Sequence, residues 1–239
     1  LSSIATDYYE ETRNAVAKFI NCCPNEVVYT KGTTDGLNKL AYMYEDLINE
    51  DDEIIVSQLD HHSAIMPWQY IANRKRAKLI YIPLDENNKI TIENFKKVIT
   101  KKTKIVALTY VSNVLGYISP VKEITKIAHE YGAIVICDGA QAVPHLKVDV
   151  KDLDVDFLAF SGHKMLAPTG TGILYGKYKL LNSLKPVEYG GDMNDGVELY
   201  GATYKDAPEK FEAGTQNIEG VIAFKEAIKY LENIGFEKI

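Results

Sequence analysis

Val155-Asp156-Phe157-Leu158-Ala159-Phe160-Ser161-Gly162-His163-Lys164-Met165-Leu166-Ala167-Pro168-Thr169-Gly170-Thr171-Gly172-Ile173-Leu174-Tyr175 consists of two apolar runs around a Ser/Gly/His/Lys loop. Residues 155–160 read as a short buried strand and residues 171–175 as a second one. Only about ten residues join them, too few for a helical crossover, so the second strand is expected to run antiparallel to its neighbour. Lys164 lies at the end of the first strand, where open α/β sheets place their chemistry. A lone loop lysine is ordinarily a solvated charge. Its meaning depends on what else the chain brings to the same edge.

Upstream, strands and helices alternate. Helices are expected at residues 6–20, from 31–35 to about 48, from 60–63 through Trp68 and Ile71, at 91–99, and from Pro120 to about 131. Strands are expected at 26–30, 53–57, 78–82, 104–110 and 133–137. This alternation predicts an α/β fold: a mostly parallel sheet with helices on both faces and one antiparallel strand. Residues 184–211 are rich in Gly and Tyr without clear periodicity, which reads as a long functional loop or a subunit contact. Residues 217–234 form a last helix.

Composition bounds the function. Of 239 residues, 46% are apolar and 25% charged, an ordinary globular balance. The net charge of −6, with no basic cluster beyond Lys101-Lys102 and Arg74-Lys75-Arg76, argues against nucleic acid and anionic membrane partners. No apolar run reaches transmembrane length and nothing resembles a signal peptide. Three sparse cysteines, Cys22, Cys23 and Cys137, suggest a reducing, cytoplasmic compartment. The abrupt start and the end directly after a helix lead us to expect a piece of a longer protein.

Several groups could carry chemistry. Gly32-Thr33-Thr34 stands where a strand turns into a helix, so backbone N–H groups and the helix dipole favour an anion there; Thr34 could equally be a plain N-cap. Asp138 closes an apolar strand, a costly place for an unpaired carboxylate. By the period of two it shares a face with Ile136, while Cys137 points to the other. His61 and His62 follow the strand at 53–57. Neighbouring side chains diverge, so only one of them is expected to face a pocket. Asn113 and Gln141 follow strands at the same edge. A zinc site lacks a recognisable ligand set, and a Ser-His-Asp hydrolase lacks a G-x-S-x-G elbow. A nicotinamide cofactor would use the anion site but leave lysine and aspartate idle, and G-x-G-x-x-G is absent. An anion cradle, a carboxylate, amides, an imidazole and a lysine at one edge match the needs of pyridoxal 5'-phosphate. Lys164 would hold its aldehyde as a Schiff base, with a carboxylate at the ring nitrogen.

At this point a resemblance becomes specific. Thr30-Lys31-Gly32-Thr33-Thr34, His61-His62 with Pro67-Trp68-Gln69, Val111-Ser112-Asn113-Val114-Leu115-Gly116, Asp138-Gly139-Ala140-Gln141-Ala142, Ser161-Gly162-His163-Lys164 and Phe211-Glu212-Ala213-Gly214-Thr215 occur in order along nearly the whole chain. The chain resembles the SufS type of cysteine desulfurase, within the class V aminotransferases, which are fold-type I pyridoxal phosphate enzymes. The His-His pair with Pro-Trp-Gln favours that branch over the IscS and NifS branch.

The resemblance implies that residues 1–239 are the cofactor-binding large domain, with most of the small C-terminal domain absent. It assigns Lys164 as cofactor anchor and as the base for the substrate Cα proton, and Asp138 to the ring nitrogen. His61 would stack on the ring, and Asn113 and Gln141 would lie near its phenolic oxygen. Thr33, Thr34, Ser161 and His163 would hold the phosphate. Thr215 would reach the phosphate of a partner subunit, which implies a homodimer. The implied reaction converts L-cysteine to L-alanine and leaves sulfur as a persulfide on an enzyme cysteine for iron–sulfur cluster assembly, with an acceptor protein as a further partner. That cysteine, and the arginine for the substrate carboxylate, would lie beyond Ile239. A selenocysteine lyase or another class V enzyme, or a non-catalytic scaffold or dimerisation module, remain the alternatives. Two departures stand out. Asp60 occupies a position where the family has Glu, a tolerable change, and Gln216 replaces a frequent proline, which is expected to loosen its loop.

Overall fold

The computed structural model describes residues 2–239. In chain order it forms α1 (Ser2–Ile20), β1 (Val27–Thr30), α2 (Thr33–Glu45), β2 (Glu53–Ser57), α3 (His62–Lys75), β3 (Lys78–Ile82), α4 (Ile92–Lys96), β4 (Thr103–Thr109), α5 (Val121–Glu130) and β5 (Ile134–Asp138). These are followed by α6 (Ala142–His145), α7 (Val150–Leu153), β6 (Phe157–Ser161), a 3-10 turn (Gly162–Met165), β7 (Gly172–Gly176), α8 (Tyr178–Ser183), β8 (Asn194–Glu198), β9 (Gly201–Tyr204) and α9 (Ile218–Ile234).

A seven-stranded sheet runs β1-β7-β6-β5-β4-β2-β3. Its pairings are parallel except at β7, which is antiparallel to both β1 and β6. The short loop after Phe160 therefore has the consequence expected of its length. Alternate residues feed two cores, one on each face. Val27, Ile55, Val135, Cys137, Leu158 and Phe160 pack under α1, α5 and α9. Val28, Ile54, Ile136, Phe157, Ala159 and Leu174 pack under α2 and α3, around the fully buried Trp68.

The structure departs from expectation where local signals are weak. Residues 184–211 contain the β8–β9 hairpin, whose strands are almost wholly exposed and so carry no apolar alternation. The helix expected at 91–99 is five residues long, and α6, α7 and α8 are short helices that no periodicity announces. Elements this short depend on caps and packing: Asp149 caps α7 by accepting from Lys151 N and Asp152 N.

One polar cluster ties the α5 face together. Asp156, on the approach to β6, accepts from Val135 N at 2.8 Å and pairs with His129 Nε2 at 2.9 Å and Lys177 Nζ at 3.0 Å. Burial alone would raise the Asp156 carboxyl, but His129, the Val135 amide and Lys177 outweigh it and hold it below the ordinary range. The same hydrogen bond raises His129 against the opposing effect of burial. The aspartate contribution is present above the ordinary carboxylate value and fades as pH falls through its lowered one. The histidine contribution is complete below the ordinary imidazole value and fades as pH rises through the raised one. Thermal melts of wild type and His129→Ala should therefore differ most between about pH 4 and pH 6.5 and converge at higher pH; a gap independent of pH would contradict this.

Candidate active site

The C-terminal ends of β2, β4, β5 and β6 open on one edge of the sheet, and β1 delivers the N-terminus of α2 to the same edge. Asp138, the last residue of β5, is 3% exposed. Its Oδ1 accepts one protein hydrogen bond, from Ala140 N at 2.9 Å, and no ion pair reaches it among the described residues. Burial raises its carboxyl, while the Ala140 amide and the charges of Lys164 and His61 pull it back. The structure thus brings the sequence-predicted lysine, histidine and aspartate into one electrostatic group. A buried carboxylate with one oxygen free of protein partners suits a cationic N–H group from a ligand.

Lys164 sits in the 3-10 turn after β6, partly buried. Its amine makes no hydrogen bond or ion pair with the described residues. The turn itself is firmly held. Gly162 N donates to Thr171 O at 2.9 Å, Ala167 N donates to Gly162 O at 3.0 Å, and Leu166 closes it in the left-handed region at φ 68°. From α9's cap, Asn217 Nδ2 donates to Gly170 O.

Ser161 and Thr33 join this turn to α2. Thr33 N donates to Ser161 Oγ at 2.8 Å, and the two hydroxyls are 2.7 Å apart. Both residues are buried. The approach depends on missing side chains: a Cβ on Gly172 would collide with the Gly32 backbone and meet Phe160 O at 2.8 Å. Gly32 itself has φ +148° and serves as the N-cap. Neither threonine is therefore the cap. Thr33 spends its N–H on Ser161 and shares one hydroxyl hydrogen bond with it, whereas Thr34 is exposed at the second helical position, where N–H groups lack intrahelical partners.

His61 caps α3. Its Nδ1 accepts from Ser63 N at 3.2 Å and lies 2.8 Å from Ser63 Oγ. An accepting Nδ1 leaves the proton of the neutral ring on Nε2. Both histidines border the same two hollows, their rings 6.1 Å apart, against the expectation that only one would. Successive residues at a helix start turn by about 100° rather than the 180° of a strand. The hollows form a continuous rim: Thr34 and His61 share one, His61 and Asn113 a second, Asn113 and Gln141 a third. His163 is exposed beside Lys164.

Thr215 stands apart from this rim. It lines a separate hollow with Tyr9, Arg13, Glu209 and Gly214. In its loop the Gln216 amide donates to Ala213 O and Gly214 O at 3.2 Å each, contacts that a proline at this position would lack. Behind the loop, Glu212 is buried in a bidentate pair with Arg13 at 2.9 Å and accepts from Tyr29 N at 2.8 Å. No role was expected of Glu212, Gly172 or Asp60 from sequence, because each acts on residues far along the chain.

The family profile described as "Aminotransferase class-V" matches residues 1–239. The chain belongs to the class-V aminotransferase family. Within it, the chain is 49% identical to a "Probable cysteine desulfurase" of Halalkalibacterium halodurans over 241 residues, 100% of this chain and 59% of that protein. It is 52% identical to one from Staphylococcus epidermidis, covering 100% of this chain and 58% of that protein. Among solved structures, the apo cysteine desulfurase of Thermococcus onnurineus NA1 superposes with a TM-score of 0.96 at 40% identity, covering 100% of this chain and 60% of that one. This class-V chain thus spans about three-fifths of the length of the curated relatives it matches.

Proposed function

We propose that this chain is the cofactor-binding large domain of a SufS-type cysteine desulfurase that uses pyridoxal 5'-phosphate. The observation that carries the reading is the buried, singly hydrogen-bonded Asp138 with Lys164 and His61 acting on its charge. The names of the relatives at 49% and 52% identity support cysteine as substrate. The residue set fits the cofactor. The free Lys164 amine would hold its aldehyde, Asp138 its ring nitrogen, and Thr34, Ser161 and His163 its phosphate, with Thr33 fixing Ser161. Asn113 and Gln141 would border its phenolic oxygen. When bound, pyridoxal phosphate supplies an electron-poor ring that stabilises negative charge at the substrate Cα.

The chain's own groups do the rest. Asp138, itself buried, would hold a proton on the ring nitrogen by offering its free oxygen. Lys164, next to that carboxylate, moves the proton at the substrate Cα. His61, fixed by Ser63, presents Nε2–H to the substrate side. The sulfur step breaks the C–S bond of cysteine as a thiolate of the enzyme takes the sulfur, giving L-alanine and a persulfide. Thr215, separated from the rim of its own chain, would complete the phosphate site of a partner subunit in a homodimer. A cytoplasmic location, a protein sulfur acceptor and iron–sulfur cluster assembly belong to the same reading.

The test is incubation of the full-length protein with L-cysteine and pyridoxal phosphate. Alanine should form in step with a persulfide detected by mass spectrometry. Turnover of selenocysteine alone would place the protein among selenocysteine lyases. Cofactor uptake with no turnover of either would indicate another class-V activity, and no uptake a non-catalytic scaffold.

A further inference from the structure

β2 and β4 pair in parallel from Glu53↔Thr103 to Ile55↔Val106, and their register ends there. Beyond that point β2 continues beside β3 to Ser57↔Ile82, and β4 beside β5 to Thr109↔Asp138. The β2–β4 ladder thus stops short of both strand ends. The Asp60 carboxylate, 7% exposed, bonds to both of those ends. Its Oδ2 accepts from Ser57 N at 2.6 Å and its Oδ1 from Thr109 N at 2.7 Å. The turn is tightened further by Asp60 N donating to Ser57 O at 3.2 Å and Leu59 N donating to Ser57 Oγ at 3.0 Å.

We propose that Asp60 is a positioning residue of this site: its carboxylate bridges the ends of β2 and β4 and so sets His61 relative to Asp138. His61 is the next residue in the chain, and Asp138 is the ladder neighbour of Thr109, whose amide Asp60 binds. Tyr110 N, one residue on, donates to Asp138 O at 3.0 Å. A simple turn cap would need only the Ser57 amide. The second bond reaches a residue 49 positions away, and it places one buried carboxylate beside another, a cost that a mere turn would not require. Burial pushes the Asp60 carboxyl up to about 7, the two amides opposing and the Asp138 charge adding to it. The other titratable group that acts on it is Cys137 on β5.

The consequence for cofactor binding rests on the pyridoxal phosphate reading above. The test compares full-length wild type, Asp60→Glu and Asp60→Asn by NMR of the His61 ring and the Ser57 and Thr109 amides, and by titration with pyridoxal phosphate. Asp60→Asn presents an amide NH2 to one of two N–H donors. It is expected to shift the His61 ring signals and to weaken cofactor binding about ten-fold, the size of one lost charged hydrogen bond. Asp60→Glu keeps both acceptors and should restore most of both. A folded Asp60→Asn with wild-type His61 signals and affinity would overturn the proposal. Should Asp60→Asn fail to fold, wild type decides: the Ser57 and Thr109 amides must both follow the titration of the Asp60 carboxyl carbon, and independent midpoints overturn it. A wild type that takes up no pyridoxal phosphate sinks the cofactor reading alone, since the NMR signals still judge the bridge.

Discussion

Lys164→Ala is expected to fold normally and to lose both durable cofactor binding and proton exchange at the substrate Cα. Folding should survive because the Lys164 amine makes no hydrogen bond or ion pair with the described residues, and the turn is held by backbone bonds from Gly162 and Ala167. The chemistry should not. Removing a positioned base costs about 10²–10⁴-fold, and here the same side chain is the proposed anchor, so the loss should lie at or beyond the upper end. Cα–deuterium exchange of L-cysteine or L-alanine in heavy water reports the base. The visible absorbance that survives desalting reports the anchor. Exchange at the wild-type rate in Lys164→Ala would remove this residue from the mechanism.

Glu212→Ala should produce the largest loss of stability. The Glu212 carboxylate is buried, pairs with Arg13 through both oxygens, accepts from Tyr29 N on β1 and lies 3.3 Å from Tyr9 OH. Arg13 in turn donates to Val27 O at 2.6 Å and lies with its guanidinium 4.4 Å from the Tyr29 ring centroid. Removing Glu212 leaves the buried Arg13 guanidinium with only the half-exposed Glu10, at 2.9 Å from Nε and 3.2 Å from Nη2, so the loss should fall at the lower end of the about 3–5 kcal/mol that a broken buried pair costs. Each kcal/mol is worth about 2–4 °C in a domain of this size. A fall in melting temperature of only a degree or two would show that water or a neighbour rescues Arg13. Replacing Arg13 and Glu212 together with Met and Gln should recover part of the loss, because no uncompensated charge remains. Thr215 lies three residues from Glu212, so the same variant should loosen the loop proposed to reach a partner subunit.

Much of the site was legible because its parts lie at strand ends. Apolar runs of four to seven residues, each ended by a polar or small residue, mark those ends, and the chemistry-bearing residues follow directly. Asp138 announces itself by ending an apolar strand, and Ser161-Gly162-His163-Lys164 by following one. Thr33 and Thr34 were harder to divide. Sequence offers two adjacent hydroxyls at a helix start, and only the approach of β6 shows that Thr33 is buried against Ser161 while Thr34 is exposed. The β8–β9 hairpin escaped notice because neither of its faces is buried.

Sequence alone determined the alternation of strands and helices, the antiparallel β7 and the residue types at the sheet edge. These follow from periodicity, loop length and strand termination, all of which act within some ten to twenty neighbouring residues. Tertiary structure decided which groups are free and which are spent. Asp60 became a bridge because the sheet brings the end of β4 beside the end of β2, Glu212 became an anchor because α1 brings Arg13 against it, and Gly32 can turn tightly because Gly172 has no side chain. Hydrogen bonds between residues 49, 199 or 128 positions apart leave no mark on local pattern. They exist only once the sheet has ordered its strands.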